Sequence, residues 1–368
     1  MQTAKKRVDN ILKQSNIDSI LIMNTTSKDP NFTYLTGIYD GLFEDGIVIA
    51  DRKSIILYPS ALEYEIAKKS ALPGIEITKK GGRIRGGFAL KGIESIMGKT
   101  LYKQSVGING SLFPVEVYNA LKKMQYPPSK IVDCTKELNS ARSVKDKEEL
   151  SNIRKAAGIT KRTIDKVRSI LRSGMSEIEV AHKITEHFEA AGATEAFESI
   201  VAFDSNTALP HHSPGKSTLS ENSIVLFDVG AKYHGYCADI TRTFMFKPKA
   251  STEKYKRFLR MYKSVETAHA MAQDMMVEGA EASSIDRKVR EYLDSCEGGI
   301  YKGKFIHSLG HSVGIDVHDG IVISYKAPGI ILKQGMVLTD EPGVYDVGFG
   351  GVRIEDDVLV GKKSSTLL

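Results

Sequence analysis

The sequence predicts a two-domain protein whose larger, C-terminal part is α+β, and three observations carry that expectation. At 368 residues, with 41% hydrophobic and 26% charged content, the chain can bury a large core, and its length favours two domains over one. From residue 146 onward, helical patterns and strand-like runs follow one another without alternating one for one, which argues against a doubly wound parallel sheet. Between the halves, the stretch SARSVKDKEELSNIRKA is highly charged, and the boundary falls near residues 140–146, giving domains 1–141 and 142–368.

The first domain reads as a small α/β unit. A polar N-terminal helix, MQTAKKRVDNILKQ, leads into SILIMNTT and the turn-rich SKDPNFTYLTG. GIVIADRKSIILYPS follows, with Asp51-Arg52 between two β-branched runs as in a hairpin, and then the helix ALEYEIAKKS. In the second domain Ser143, followed three residues later by Asp146, marks a helix start, and long helices are expected over 146–172 and 176–192. Strand-like runs then dominate: SIVAF, SIVLFDVGAKYHGYCADITRTFMF, KFIHSLGHSVG, MVLTDEPGVY and GGVRIEDDVLV, with two helices over 251–276 and 283–297.

Composition removes several functions. Apolar runs are only a few residues long, and the N-terminus has neither an h-region nor a cleavage site, so a cytoplasmic, membrane-free protein is expected. The cysteines Cys134, Cys237 and Cys296 have no CxxC spacing and are read as small buried hydrophobes. The formal charge of +6 comes from cations mixed with acids, not from a basic stripe interleaved with aromatics, so no nucleic-acid partner is expected.

Four acids and one histidine in the C-terminal half carry the chemistry: Asp228, Asp239, His311, Glu341 and Glu355. A hairpin centred between Tyr233 and His234 would set Asp228 opposite Asp239, with Cβ atoms roughly 5 Å apart. Carboxylates that close repel unless a cation lies between them, and metals in two-metal sites are about 3.5–4 Å apart. His311 stands among small residues, Glu341 ends an apolar strand before Pro342-Gly343, and Glu355 lies in a run otherwise fit for burial. An oxygen-rich set with a single nitrogen is the donor pattern of a two-metal hydrolase.

The segments DVGAKYHGYCADITRTF, GHSVGIDVHD, TDEPGVY and GVRIEDDV resemble, in order and spacing, the pita-bread metallopeptidases, in the branch containing prolidase (Xaa-Pro dipeptidase) and aminopeptidase P. FTYLTG resembles the creatinase-like α/β N-terminal domain of that branch. The resemblance implies a pita-bread catalytic domain holding two divalent metal ions, Mn(II) or Co(II) first and Zn(II) as the alternative. It implies that Asp228 holds one ion, His311 with Glu341 the other, and Asp239 with Glu355 both, and that a metal-bridging hydroxide attacks the peptide carbonyl.

By the same resemblance, Glu341 shuttles a proton toward the leaving proline nitrogen. His211, 17 residues before Asp228, and His318, seven after His311, match histidines that stabilise the oxyanion and orient substrate. Arg353 either pairs with a bridging acid or a substrate carboxylate or supports the site from outside it. Tyr345 is read as a site hydrogen-bonder or a packing residue, His307 as a support, and His212 as a surface loop residue. Two departures stand out: Ser312 where the family commonly has Gly, and Asp319 where it has Glu.

The expected activity is hydrolysis of the bond preceding proline, on Xaa-Pro dipeptides, with an aminopeptidase P acting on longer peptides as the alternative. A non-catalytic pita-bread binding protein is the distant reading, disfavoured because such proteins lose ligands. A homodimer is expected by resemblance.

Overall fold

The computed structural model describes residues 2–79 and 89–368. Contacts divide the chain into two compact units, Met1–Arg142 and Ser143–Leu368.

In the first unit the helices are α1 (Gln2–Ser15), α2 (Pro30–Thr36), α3 (Tyr64–Ser70), α4 (Ala89–Met97), α5 (Val115–Lys123) and α6 (Thr135–Ser143). The strands are β1 (Ser19–Met23), β2 (Ile47–Asp51), β3 (Ile55–Tyr58), β4 (Glu76–Ile77), β5 (Ser105–Ile108) and β6 (Lys130–Asp133). Among the described residues they form one mixed sheet in the order β4-β3-β2-β1-β5-β6. The β2–β3 hairpin closes because the Asp51 carboxylate accepts from the N–H groups of Lys53 and Ser54, both at 2.7 Å. Leu21, Ile47, Ile49 and Val106 on the sheet pack with Ile93 and Leu121 from the helices.

The second unit starts with α7 (Lys147–Ile170) and α8 (Glu177–Ala190). Each begins in a capping box, Asp146 with Glu149 and Ser176 with Glu179. The first box corrects the expected start at Ser143, which closes α6: Asp146 has the extended backbone of a cap and its carboxylate accepts two helix N–H groups.

Short strands β7 (Thr194–Glu195) and β8 (Ile200–Phe203) precede a long bent hairpin of β9 (Ser223–Val229), β10 (Ala231–Tyr233), β11 (Tyr236–Cys237) and β12 (Ile240–Phe246). Helices α9 (Glu253–Met275) and α10 (Ala282–Ser295) follow. The chain ends in β13 (Gly310–His311), β14 (Val322–Ile323), β15 (Val337–Asp340), β16 (Gly343–Asp346), β17 (Gly350–Arg353), β18 (Asp356–Leu359) and β19 (Thr366–Leu367). One core joins α9 and α10 to the C-terminal strands through Val265, Val289, Leu338 and Val358. A second joins α7 and α8 to β8, β9 and β12 through Val180, Ile184, Phe227 and Ile240. Each helical pair of the unit thus shares a core with its own set of strands.

The hairpin register differs from the sequence expectation. His234 and Gly235 take φ values of 47° and 78° and occupy both central positions of a two-residue turn, so the hairpin centre moves by one residue. Asp228 therefore pairs with Thr241, not with Asp239. Asp239 lies two residues before Thr241, which keeps both acids on one face as diagonal neighbours.

Candidate metal centre

Each acid of the set stands where a strand begins, ends or pauses. Asp228 is next to last in β9, Asp239 immediately precedes β12, Glu341 immediately follows β15, and Glu355 separates β17 from β18. His311 ends the short β13, with its N–H donating to Thr339 Oγ1 at 3.0 Å. Residues far apart in sequence thus meet at the ends of strands from several small sheets.

The meeting is close. Ligating atoms of Asp239, His311 and Glu355 lie within 4.8 Å of one another, and all three residues are buried. His311 Nε2 is 3.6 Å from Asp239 Oδ2 and 3.5 Å from Glu341 Oε1. Asp228 is near enough to repel Asp239, Glu341 and Glu355 electrostatically.

Burial first, then repulsion among the acids, pushes the carboxyls of Asp239 and Glu355 well above the usual carboxylate range and that of Glu341 to about 8. Burial, with nearby His318, lowers the His311 imidazole to about 4. The donor set is thus neutral nitrogen among acids whose charge is unmet by the protein. Buried oxygens Asp228 Oδ1 and Asp239 Oδ1 have no hydrogen-bond partner. Unsatisfied buried carboxylate oxygens facing one neutral imidazole fit divalent cations, since hard oxygen donors then gain the partner they lack.

Residues around the acids fix their geometry. Arg353, 2% exposed, donates to Asp228 Oδ2 through one terminal nitrogen, to Tyr345 Oη at 2.8 Å through the other, and to Thr241 Oγ1 at 3.0 Å through Nε. Of the readings open for Arg353, the structure shows a fully engaged guanidinium bound to Asp228. Thr241 in turn donates to Glu355 Oε2 at 2.6 Å. Tyr345 is buried and hydrogen-bonded, with its hydroxyl 2.7 Å from His307 Nε2. His307 Nδ1 lies 2.8 Å from the Ser308 carbonyl, which assigns its proton to Nδ1 and leaves Nε2 to accept from Tyr345.

The two flanking histidines are exposed. The His318 ring centroid is 4.2 Å from that of His311, and His211 is close enough to His307 to depress its basicity. His212 corrects the surface-loop reading: it is half-buried, with Nε2 2.8 Å from Glu177 Oε2. Glu177 is fully buried and also accepts from the N–H groups of Phe203 and Gly215, so His212 anchors the loop that carries His211. Cys134 and Cys237 are buried, whereas Cys296 is only partly so.

Thr241 was missed from the sequence, although a signal existed: it lies two residues after Asp239 on a strand and so shares its face. Asp357, whose carboxylate accepts from the Asp239 N–H at 3.2 Å, had no comparable signal because it contacts backbone.

Comparison with known proteins agrees with this geometry. Residues 151–362 match metallopeptidase family M24, and residues 5–144 match the creatinase/prolidase N-terminal domain. The Xaa-Pro dipeptidase of Pyrococcus furiosus is 33% identical over 99% of this chain and 97% of that protein. The prolidase of Pyrococcus horikoshii superposes with a TM-score of 0.83 at 30% identity, covering 99% of this chain and 97% of its own. The X-Pro aminopeptidase of Thermotoga maritima superposes with a TM-score of 0.81 at 26% identity, covering 97% and 96%. Two relatives of higher identity, from Methanocaldococcus jannaschii (40%) and Mycoplasma genitalium (37%), are matched over only 63% and 62% of their own lengths.

Proposed function

We propose, from the premise that this chain belongs to metallopeptidase family M24, that it is a metal-dependent exopeptidase hydrolysing the bond before proline, with Xaa-Pro dipeptides as its first substrates. The observation that carries the reading is the convergence of Asp239, His311 and Glu355 within 4.8 Å, with buried acid oxygens that the protein leaves unpaired.

The family implies divalent metal ions. In this reading Asp228, Asp239, His311, Glu341 and Glu355 hold two of them, Mn(II) or Co(II) before Zn(II), with Asp239 and Glu355 shared. Bound ions would supply charge to polarise the substrate carbonyl and would bring the pKa of water from 15.7 to about 7.

The chain's own residues do the rest. Glu341, at the accessible edge of the acids, takes up a proton on a carboxylate oxygen and delivers it to the leaving proline nitrogen. His318, beside His311, and His211 donate to the developing oxyanion and orient the peptide. Arg353 acts through Asp228, holding that carboxylate against the repulsion of its neighbours. Neutral His311 offers its nitrogen lone pair without first losing a proton at neutral pH.

The protein is further read as a cytoplasmic homodimer. Among the described residues no helix is long and apolar enough to cross a membrane. An aminopeptidase P acting on longer peptides is the second reading, favoured by the fit to the Thermotoga maritima structure.

Hydrolysis of Ala-Pro against Ala-Pro-Pro, with and without added Mn(II) or Co(II), tests the proposal. Metal-stimulated cleavage of Ala-Pro is expected. Preference for the tripeptide would move the reading to aminopeptidase P, and cleavage of neither by the metal-loaded protein would refute the enzyme.

A further inference from the structure

The two neighbouring histidines, His311 and His318, are anchored differently. His311 sits in paired strand β13 and is fixed by the bond to Thr339. His318 lies seven residues on, in the irregular loop between β13 and β14, and is exposed. A histidine on such a loop keeps its place only if the loop is tied down elsewhere.

The tie is next to it in sequence. Asp319 Oδ2 receives Lys145 Nζ at 2.7 Å, and both side chains are only 1% exposed. Lys145 is itself fixed by its N–H donating to the Gly335 carbonyl at 2.9 Å. Gly314 makes the approach feasible: a Cβ there would lie 2.3 Å from Asp319 Oδ2 and 2.5 Å from Lys145 Nζ. The loop closes through Asp319 N–H to the Ser312 carbonyl at 2.8 Å and Ile321 N–H to Ser312 Oγ at 3.0 Å. Val313 of the loop packs in a small apolar cluster with Ile153, Cys237 and Val337.

Ser312 and Asp319 both serve this closure. A buried ion pair contributes little net stability, because desolvation offsets most of its attraction, but breaking one partner leaves a costly unpaired charge. Such a pair fixes geometry better than it stabilises.

We propose that Lys145 and Asp319 are a positioning pair for His318, holding the loop so that the imidazole stays against His311 at the edge of the acid cluster. The proposal deepens the functional reading and rests on it for the catalytic consequence, though not for the placement of the ring.

Three proteins test it: wild type, Lys145→Met, and the double variant Lys145→Met/Asp319→Asn, which removes both charges and so spares folding. In metal-free protein the His318 ring resonance, identified by its loss in His318→Gln, is expected to shift or broaden in both variants. In metal-loaded protein kcat for Ala-Pro is expected to fall about 10- to 100-fold, as for a displaced catalytic group. KM and metal Kd should stay within about threefold, because the ligands have their own anchors. A folded double variant with wild-type kcat and an unchanged His318 signal would overturn the proposal. If the wild type cleaves no proline peptide, the functional reading fails, and the resonance alone decides the positioning: a shift supports it and an unchanged signal overturns it.

Discussion

Glu341 and Glu355 face one side of the β15–β18 pair, and Asp340 and Asp356, each one residue away, face the other. On the second side the chain supplies its own countercharge. Asp356 receives Arg242 at 2.8 Å and Lys161 at 3.2 Å, with His269 Nε2 at 3.6 Å. Asp340 differs: burial, then Asp356 and Glu341, push its carboxyl well above the ordinary range. On the first side the acids meet one imidazole, and the sole arginine of the network is committed to Asp228. Two acid clusters of similar composition thus differ in the cations that the protein brings to them. A cluster supplied with cations by the chain is architecture, and one left short of positive charge is a site for ions from outside.

The substitution most able to break this contrast is Asp239→Asn. It removes a shared donor while keeping shape, so kcat/KM should fall by about 10³-fold or more, the loss of several kcal/mol of transition-state stabilisation. The metal-free variant should fold at least as well as the parent, because the charge removed is one that burial disfavours. Urea unfolding of both stripped proteins, beside turnover of the loaded ones, checks the two halves of the statement. Near-normal turnover would erase the distinction between the faces.

Stripping the metal should expose the unmet charge as a pH dependence. Asp239, Glu355 and Glu341 have raised folded-state values, about 8 for Glu341, so their stabilising protonation is complete below about 4.3 and is lost as pH rises through about 8. His311, lowered to about 4, has the opposite sign: its contribution is present above about 6.5 and lost as pH falls toward 4. Between pH 6.5 and 8.5 only the acids change. Chelator-treated protein should therefore lose stability across that window, at about 1.4 kcal/mol per pH unit for each proton released. Protein reloaded with Mn(II) should lose much less, since bound ions replace the protons.

How much of this was legible in the sequence follows from what each feature depends on. The acids Asp228, Asp239, Glu341 and Glu355 were visible because charged residues inside apolar strand runs violate the local pattern. Their register was not, because a turn at His234-Gly235 and one centred a residue earlier preserve the same alternation, and only the positive φ of both residues separates them. The capping at Asp146 was missed for a similar reason: Ser143 and Asp146 are both good caps, and only the structure shows Ser143 closing α6. Arg353 was visible as an unusual charge, but its commitment to Asp228, Thr241 and Tyr345 joins three separate strands. Asp356 showed nothing to distinguish it from Glu355 beside it, since its countercharges come from α7 and β12, far away in sequence.

That long-range countercharge can be tested where it is weakest. Lys161 pairs with Asp356 at 3.2 Å, and its side chain is 35% exposed. Lys161→Met should cost about 1 kcal/mol in urea unfolding, with Arg242 still in place, and leave kcat/KM within about twofold. A loss of activity far beyond the loss of stability would mean that the two faces are coupled through the strands.

The smallest expected effect is the most discriminating, because it repeats the Asp239→Asn chemistry one strand away. Asp340→Asn keeps the volume of the side chain and removes a charge that burial already disfavours. Both Asp340 oxygens lack a hydrogen-bond partner, and His269 Nε2 is 3.8 Å away, so no bond is broken. Metal affinity and kcat/KM should match the parent within about twofold. The same substitution abolishing turnover at 239 and sparing it at 340 would show that function resides in unmet charge rather than in buried acids as such. A large loss of metal affinity at 340 would instead mean that Asp340 is ionised and acts on Glu341, and the two clusters would have to be treated as one.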